Sequence, residues 1–122
     1  EYQINGGNGD PILQLSDESY KSLRECRSIA EKTHDNIANE KYQGVIDLID
    51  EKHIKIEDST LVSILKENPI SNQMQYLGFV PIDVNMANDT VRLVNFAYHD
   101  SNLNRTLTIT IDPKSVLVAG ID

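Results

Sequence analysis

The amino-acid sequence predicts an α+β fold, in which N-terminal helices pack on a curved antiparallel sheet of three to four strands. Two observations lead to this prediction. Apolar residues recur every three or four positions in the first part of the chain, and every second position beyond Ser71. No helical pattern separates the strands, so neighbouring strands should pair as an antiparallel meander that the helices cover on one face.

The length and composition indicate one domain. The chain has 122 residues, of which 39% are hydrophobic, and this suits a single compact unit. Residues 1–15 begin with a segment rich in Gly and Asn and predict a flexible leader or linker, whereas residues 16–122 predict the domain. Such a tether is typical of extracytoplasmic domains, so we expect the periplasm or the cell surface, with the cytoplasm as the alternative. No apolar run reaches the length of a membrane-spanning helix.

Three helices are expected before residue 70. The first spans about residues 16–38, because its apolar side chains share one face. These are Tyr20, Leu23, Cys26, Ala30, Thr33 and Ile37. The second covers about residues 40–50, where Gly44 lowers the helical propensity. The third begins at residue 58 or 59 and ends before Pro69, which disfavours helical geometry in the residue before it.

Four strands are expected after the helices, at residues 73–84, 90–98, 106–111 and 116–121. The second is apolar on both faces, so it should lie in the middle of the sheet. In the first, Pro81 cannot donate a ladder hydrogen bond and marks an edge, a bulge or a break. Strict alternation in that strand would place the side chains of Met74, Tyr76, Val80, Ile82 and Val84 on one face, and those of Leu77 and Phe79 on the other. The segment Asn85–Asp89 is expected to form a turn.

The third strand has the clearest alternation in the sequence. Thr106, Thr108 and Thr110 should share one face, and the apolar residues Leu107, Ile109 and Ile111 the other. This pattern predicts a half-buried strand whose threonine face meets water or a wet cavity.

The charge restricts the class of partner. There are 11 basic and 19 acidic residues, for a net charge of −8. Nucleic acid is not expected as the main partner, because neutralising phosphates requires clustered Lys and Arg. Most of the acidic excess lies in the helical half, where a solvated helix surface explains it.

Two segments resemble the nuclear-transport-factor-2-like (cystatin-like) superfamily, in particular its small secreted or lipoprotein-borne bacterial members. One is NEKYQGVIDLID at Asn39–Asp50, and the other is the closing hairpin RTLTITIDPKSVLVAGID at Arg105–Asp122. The chain departs from the family in lacking the Trp that the last strand often carries. The resemblance implies a cone whose open mouth binds a ligand or partner, an upstream lipid anchor and a homodimer through the sheet.

Six residues are candidates for ligand binding on the concave sheet face or the rim. They are Tyr76, Tyr98, His99, Thr106, Thr108 and Thr110. No catalytic residue, metal ligand or cofactor is assigned, because the three histidines lack the spacing of a helical metal site. Each of His34, His53 and His99 is expected to be a surface or hydrogen-bonded histidine. Cys26 is expected to be a small buried hydrophobe, which cannot close an internal disulfide.

These observations leave three functions open. The first is a non-catalytic extracytoplasmic binding or interaction domain, whose ligand is a small molecule or a protein. The second is an acidic cytosolic partner, such as an immunity protein that neutralises a basic toxin, because complementary charge speeds association. The third is a small isomerase or dehydratase, for which Tyr20, Tyr76, Tyr98, His99 and Asp83 are the candidate acid–base groups.

Overall fold

The computed structural model describes residues 2–5, 12–15, 17–71, 74–86 and 89–122. The helices are α1 (Asp17–Ala38), α2 (Tyr42–Ile46) and α3 (Asp58–Glu67). The strands are β1 (Tyr2–Asn5), β2 (Ile12–Leu15), β3 (Gln75–Met86), β4 (Asp89–Asp100), β5 (Arg105–Asp112) and β6 (Leu117–Ile121). This arrangement confirms the predicted α+β class.

The main sheet is a four-stranded antiparallel meander in the order β3-β4-β5-β6, so the predicted central position of β4 is confirmed. A separate two-stranded ladder joins β1 to β2 in antiparallel register. It lies within the segment that the sequence predicts as a leader, and the leader or linker role of residues 1–15 stays a prediction. Two residues of the turn predicted at Asn85–Asp89, at positions 87 and 88, lie outside the described residues. No helix in the described ranges is long and apolar enough to cross a membrane.

The core lies between α1 and one face of the sheet. Cys26 and Ala30 on α1 are fully buried in a cluster with strand side chains of β4, β5 and β6. The predicted alternation of β5 is confirmed, because Leu107, Ile109 and Ile111 enter this core. Burial of these side chains supplies the main stabilisation of the fold. A second, smaller cluster joins the end of α1 to the other helices through Ile37, Val45, Leu61 and Leu65.

Strict alternation fails in β3, where the expected faces are wrong beyond Leu77. Tyr76 pairs with Tyr98 and Gly78 pairs with Ala97, so Leu77 is an extra residue in the ladder, a β-bulge. Gly78 has a φ of 136°, a conformation that favours glycine. As a result Phe79 is only 4% exposed, whereas Val80 is 60% exposed. From Phe79 to Val84, each side chain therefore lies on the face of the sheet opposite to the one predicted.

The second helix is shorter than predicted, because α2 ends at Ile46 and turns follow it. Gly44 allows α2 to lie close to α1, since a Cβ at this position would come within 2.7 Å of the Asn36 side chain. The backbone N–H of Lys41 also donates to the Asn36 carbonyl. A larger residue at this position would displace the Asn36 amide, so the glycine that weakens an isolated helix eases the contact between these two helices.

The two edges of the sheet differ. The edge strand β6 is covered, because the Val118 N–H donates to the Leu48 carbonyl at 2.7 Å and its carbonyl accepts from the Asp50 N–H at 2.8 Å. At the other edge lies β3, which carries Pro81. This agrees with the expectation that the proline marks an edge, the place in a sheet where proline is tolerated.

Candidate ligand-binding cleft

The structure divides the six predicted ligand-binding residues between the two faces of the sheet. Tyr76 and Tyr98 contact the helix-facing core. His99 follows Tyr98 in β4 and therefore points to the opposite face, where its ring meets the Thr106 hydroxyl at 3.3 Å. Thr108 and Thr110 share that face by alternation with the buried residues of β5. The acid–base constellation of the enzyme hypothesis is not assembled at Tyr98 and His99.

Tyr98 is a buried structural residue. It is 2% exposed, and its hydroxyl donates to Glu31 Oε1 at 3.1 Å. Its ring stacks on His34 with centroids 5.0 Å apart and lies 5.4 Å from Tyr76. Burial, reinforced by the nearby Glu31 carboxylate, raises the pKa of Tyr98 well above its usual range. The phenol therefore stays protonated and binds the helix to the sheet.

His34 lies in the same cluster. It is 5% exposed and its Nδ1 lies 3.0 Å from Asp35 Oδ1, whereas its buried Nε2 has no hydrogen-bond partner among the described residues. Glu31, His34 and Asp35 bring ligand-type atoms within 4.8 Å of one another, as a metal site would. However, Asp35 is 67% exposed in its side chain and Glu31 already accepts from Tyr98. The described contacts and the exposure to solvent therefore account for Glu31 and Asp35 without a metal.

A second polar cluster, here called the clasp, consists of Asp50, His53, Asp112 and Ser115. His53 Nε2 lies 2.8 Å from Asp112 Oδ2, and the Ser115 hydroxyl donates to Asp50 Oδ2 at 2.6 Å. The other carboxylate oxygens accept backbone N–H groups two residues ahead, from Lys52 and Lys114. Asp50, His53 and Asp112 also bring ligand-type atoms within 4.8 Å. Every carboxylate oxygen of the clasp is therefore hydrogen-bonded. The two side-chain bonds join segment 50–54 to the turn after β5.

Within the clasp, the surroundings of Asp50 favour its ionised form. Burial alone would raise the pKa of Asp50, but hydrogen bonds from Ser115 and the Lys52 backbone, with attraction from His53, lower it below its usual value. Asp100, at the end of β4 and outside the clasp, has the same opposition of effects. Burial opposes its ionisation, yet hydrogen bonds from Ser71 and from the backbone of Leu103 and Asn102 lower its pKa.

Cys26 does not offer a nucleophile. Its side chain is fully buried, as the sequence predicts, and burial raises the pKa of the thiol to about 11. Because the thiolate is the reactive species, the thiol is inert in the folded protein near neutral pH.

A cleft lies between α3 and the strands β5 and β6. It has a volume of about 210 Å³ and is more enclosed than two larger depressions beside α2 and α3. Its apolar lining is Ile37, Ile64, Leu65, Ile70, Leu107 and Ile121. Its polar lining is Asn68, Arg105, Thr106 and Asp122. Small-molecule sites are typically concave and mainly apolar with few polar groups, and this cleft has that character.

Arg105 is the cation of the cleft. One terminal nitrogen donates to the Pro69 carbonyl at 3.0 Å and the other to Asn68 Oδ1 at 2.9 Å. Both acceptors are neutral, and no carboxylate within the described ranges forms an ion pair with this guanidinium. The two bonds fix the plane of the guanidinium against the loop after α3, and the group keeps its full positive charge at the rim.

Of the predicted ligand-binding residues, Thr106 lies at this cleft. Sequence reasoning missed Arg105 and Asn68, which lie 37 positions apart and meet only through the fold. No local pattern marks this pair, and the partly exposed Ile64 of the cleft, at 45%, is recognised only from the structure.

No family model, curated protein or solved structure matches the chain significantly.

Proposed function

We propose that this protein is a non-catalytic binding domain and that a small molecule occupies the cleft between α3 and strands β5 and β6. The observation that carries the proposal is the cleft itself, an apolar recess of about 210 Å³ with a few polar groups on its rim. Ile64, on that rim, exposes 45% of its surface and would gain from being covered.

The chemistry of the cleft favours binding over turnover. Its lining in the described ranges includes no His, Cys or Tyr, and the carboxylate that it does include, Asp122, is exposed. The buried groups with a raised pKa, Cys26 and Tyr98, belong to the core between α1 and the sheet. Because their raised pKa values keep them protonated, they add structural contacts and no reactive anion.

The fold is compatible with the cone of the nuclear-transport-factor-2-like superfamily, and we include that membership and an extracytoplasmic location in the proposal. The proposed superfamily membership is supported by the packing of α1 across an antiparallel meander and by the segments Asn39–Asp50 and Arg105–Asp122. The location is tested by the sequence of the natural gene upstream of Glu1. A signal segment ending in a lipidated Cys supports it, and a short start without such a segment contradicts it.

Binding is tested with a neutral apolar probe, 3-phenylpropanol, titrated into isotope-labelled protein. Amide shifts should concentrate at cleft residues such as Leu65, Leu107 and Ile121. The variant Ile64→Asp should weaken binding at least about tenfold, because it places a charge beside the apolar body of the probe. Ile56→Asp is the matched control, since Ile56 is 46% exposed and lies outside the cleft. Shifts spread evenly over the surface, or equal loss in both variants, would contradict the proposal.

A further inference from the structure

We infer that the ligand of the cleft is an anion, a compact apolar body that carries a carboxylate or similar head group. The inference rests on the proposed function and deepens it by naming the class of ligand. It depends on Arg105, a cation that two neutral hydrogen-bond acceptors hold in place at the rim of an apolar recess.

The guanidinium has donors left for a ligand. Arginine carries five N–H groups in a planar fork, and the Pro69 carbonyl and Asn68 Oδ1 occupy two of them. These two bonds hold the fork in place, so a carboxylate that arrives there meets an oriented partner and the ordering cost of binding is small. Arginine is suited to this role because its fork matches the geometry of a carboxylate.

Charge at the rim favours an anion over a cation. Asp122 also lines the cleft, but none of the described hydrogen bonds holds its side chain, whereas two hold the Arg105 guanidinium. A carboxylate that is exposed and not held is screened by water and salt and can turn away from a bound anion. The charge with a fixed orientation at the rim is therefore positive.

The volume limits the size of the apolar body. An apolar cavity of about 150 Å³ accepts benzene. The cleft, at about 210 Å³, therefore has room for one six-membered ring with a short chain. The head group would lie outside the apolar floor, at the level of the Arg105 fork.

A charge series with one apolar body tests the inference. The probes are 3-phenylpropionate, 3-phenylpropanol and 3-phenylpropylamine, and the readout is the ratio of their dissociation constants in the natural sequence. The carboxylate should bind about fivefold more tightly than the alcohol, the upper end for a partly exposed ion pair. The amine should bind more weakly than the alcohol.

Two variants assign the preference to the guanidinium. Arg105→Gln retains a donor for the Pro69 carbonyl and should bring the ratio of alcohol to carboxylate near one. Arg105→Lys keeps the charge but loses the planar fork, so it should keep only part of the ratio. A ratio is used because a partly unfolded variant weakens all three probes alike. The variant Asp122→Asn should leave the preference for the carboxylate intact or increase it.

The outcomes separate this inference from the function on which it rests. Equal binding of the alcohol and the carboxylate, tighter binding of the amine, or an unchanged ratio in Arg105→Gln would overturn the inference while the cleft remained a binding site. Failure of all three probes to bind would overturn the proposed function, and the inference with it.

Discussion

Removing the Asp50 carboxylate should destabilise the domain by about 2–4 kcal/mol, because it opens the clasp. In Asp50→Ala the Ser115 hydroxyl and the Lys52 N–H both lose a charged acceptor. Hydrogen bonds to charged groups each contribute about 1.5–3 kcal/mol. Ser115 is exposed and regains a bond to water, so the loss is less than two full bonds. The expected cost is a large fraction of a typical domain stability of about 5–15 kcal/mol.

The assay is urea unfolding at pH 7, followed by far-ultraviolet circular dichroism. Asp50→Asn should recover about half of the loss, since its amide can accept from Lys52 and donate to Ser115. Asp47→Ala is the control, because Asp47 is exposed and accepts one bond, from Gln43. Its effect should be within about 0.5 kcal/mol.

A local readout tests the position of the clasp. The amide of Val118 donates to the Leu48 carbonyl next to the clasp, so its hydrogen exchange should speed up in Asp50→Ala. A free energy of unfolding within about 0.5 kcal/mol of the natural sequence, or an equal loss in Asp47→Ala, would refute this account of the clasp.

Three further outcomes are expected. Folding lowers the pKa values of Asp50 and Asp100. The two carboxylates therefore stabilise the fold above the unfolded pKa of about 3.9, and this stabilisation is lost as the pH falls through the folded pKa values. Urea titrations should show that stability declines below about pH 4 and that the decline is shallower in Asp100→Asn. Cys26 should resist a thiol reagent at pH 8 and react fully in urea, and rapid reaction of the folded protein would contradict its burial. Deleting Leu77 should preserve the fold because it removes only the bulge, whereas deleting Val80 should lower the stability to urea because it shifts the rest of β3 against β4.

Periodicity predicted those helices and strands in which the regular repeat of side chains is not broken by an inserted residue. The residues of α1 that share a face and the alternation of β5 required no knowledge of distant contacts. In β3 the same reasoning failed after Leu77, because alternation counts residues and a bulge inserts one without changing the composition. The sequence did contain Gly78 next to that point, but glycine in a strand does not reveal on which side the extra residue lies.

The candidate site was harder to predict, because its polar groups come from distant segments. Arg105 was within the closing hairpin that the sequence marked, yet its partners Asn68 and Pro69 follow α3. His53 and Asp112 are 59 positions apart. The sequence shows Arg105, His53 and Asp112 only as polar residues in loops or at strand ends. Their partners follow from the packing of α3 and of segment 50–54 against the sheet. Local patterns carry no information on such pairs.

Arg105 and the protein as a whole have opposite signs of charge, and this has a kinetic consequence. An anion that binds at Arg105 must approach a protein of net charge −8, so long-range repulsion slows its association. Salt screens this repulsion over distances beyond about 10 Å at 0.1 M, but it also weakens the contact with the partly exposed guanidinium. Raising salt should therefore speed both association and dissociation of 3-phenylpropionate, while leaving both rates for 3-phenylpropanol nearly unchanged. Association that slowed with salt would mean that a basic surface guides the anion, which the distribution of charge in this sequence does not provide.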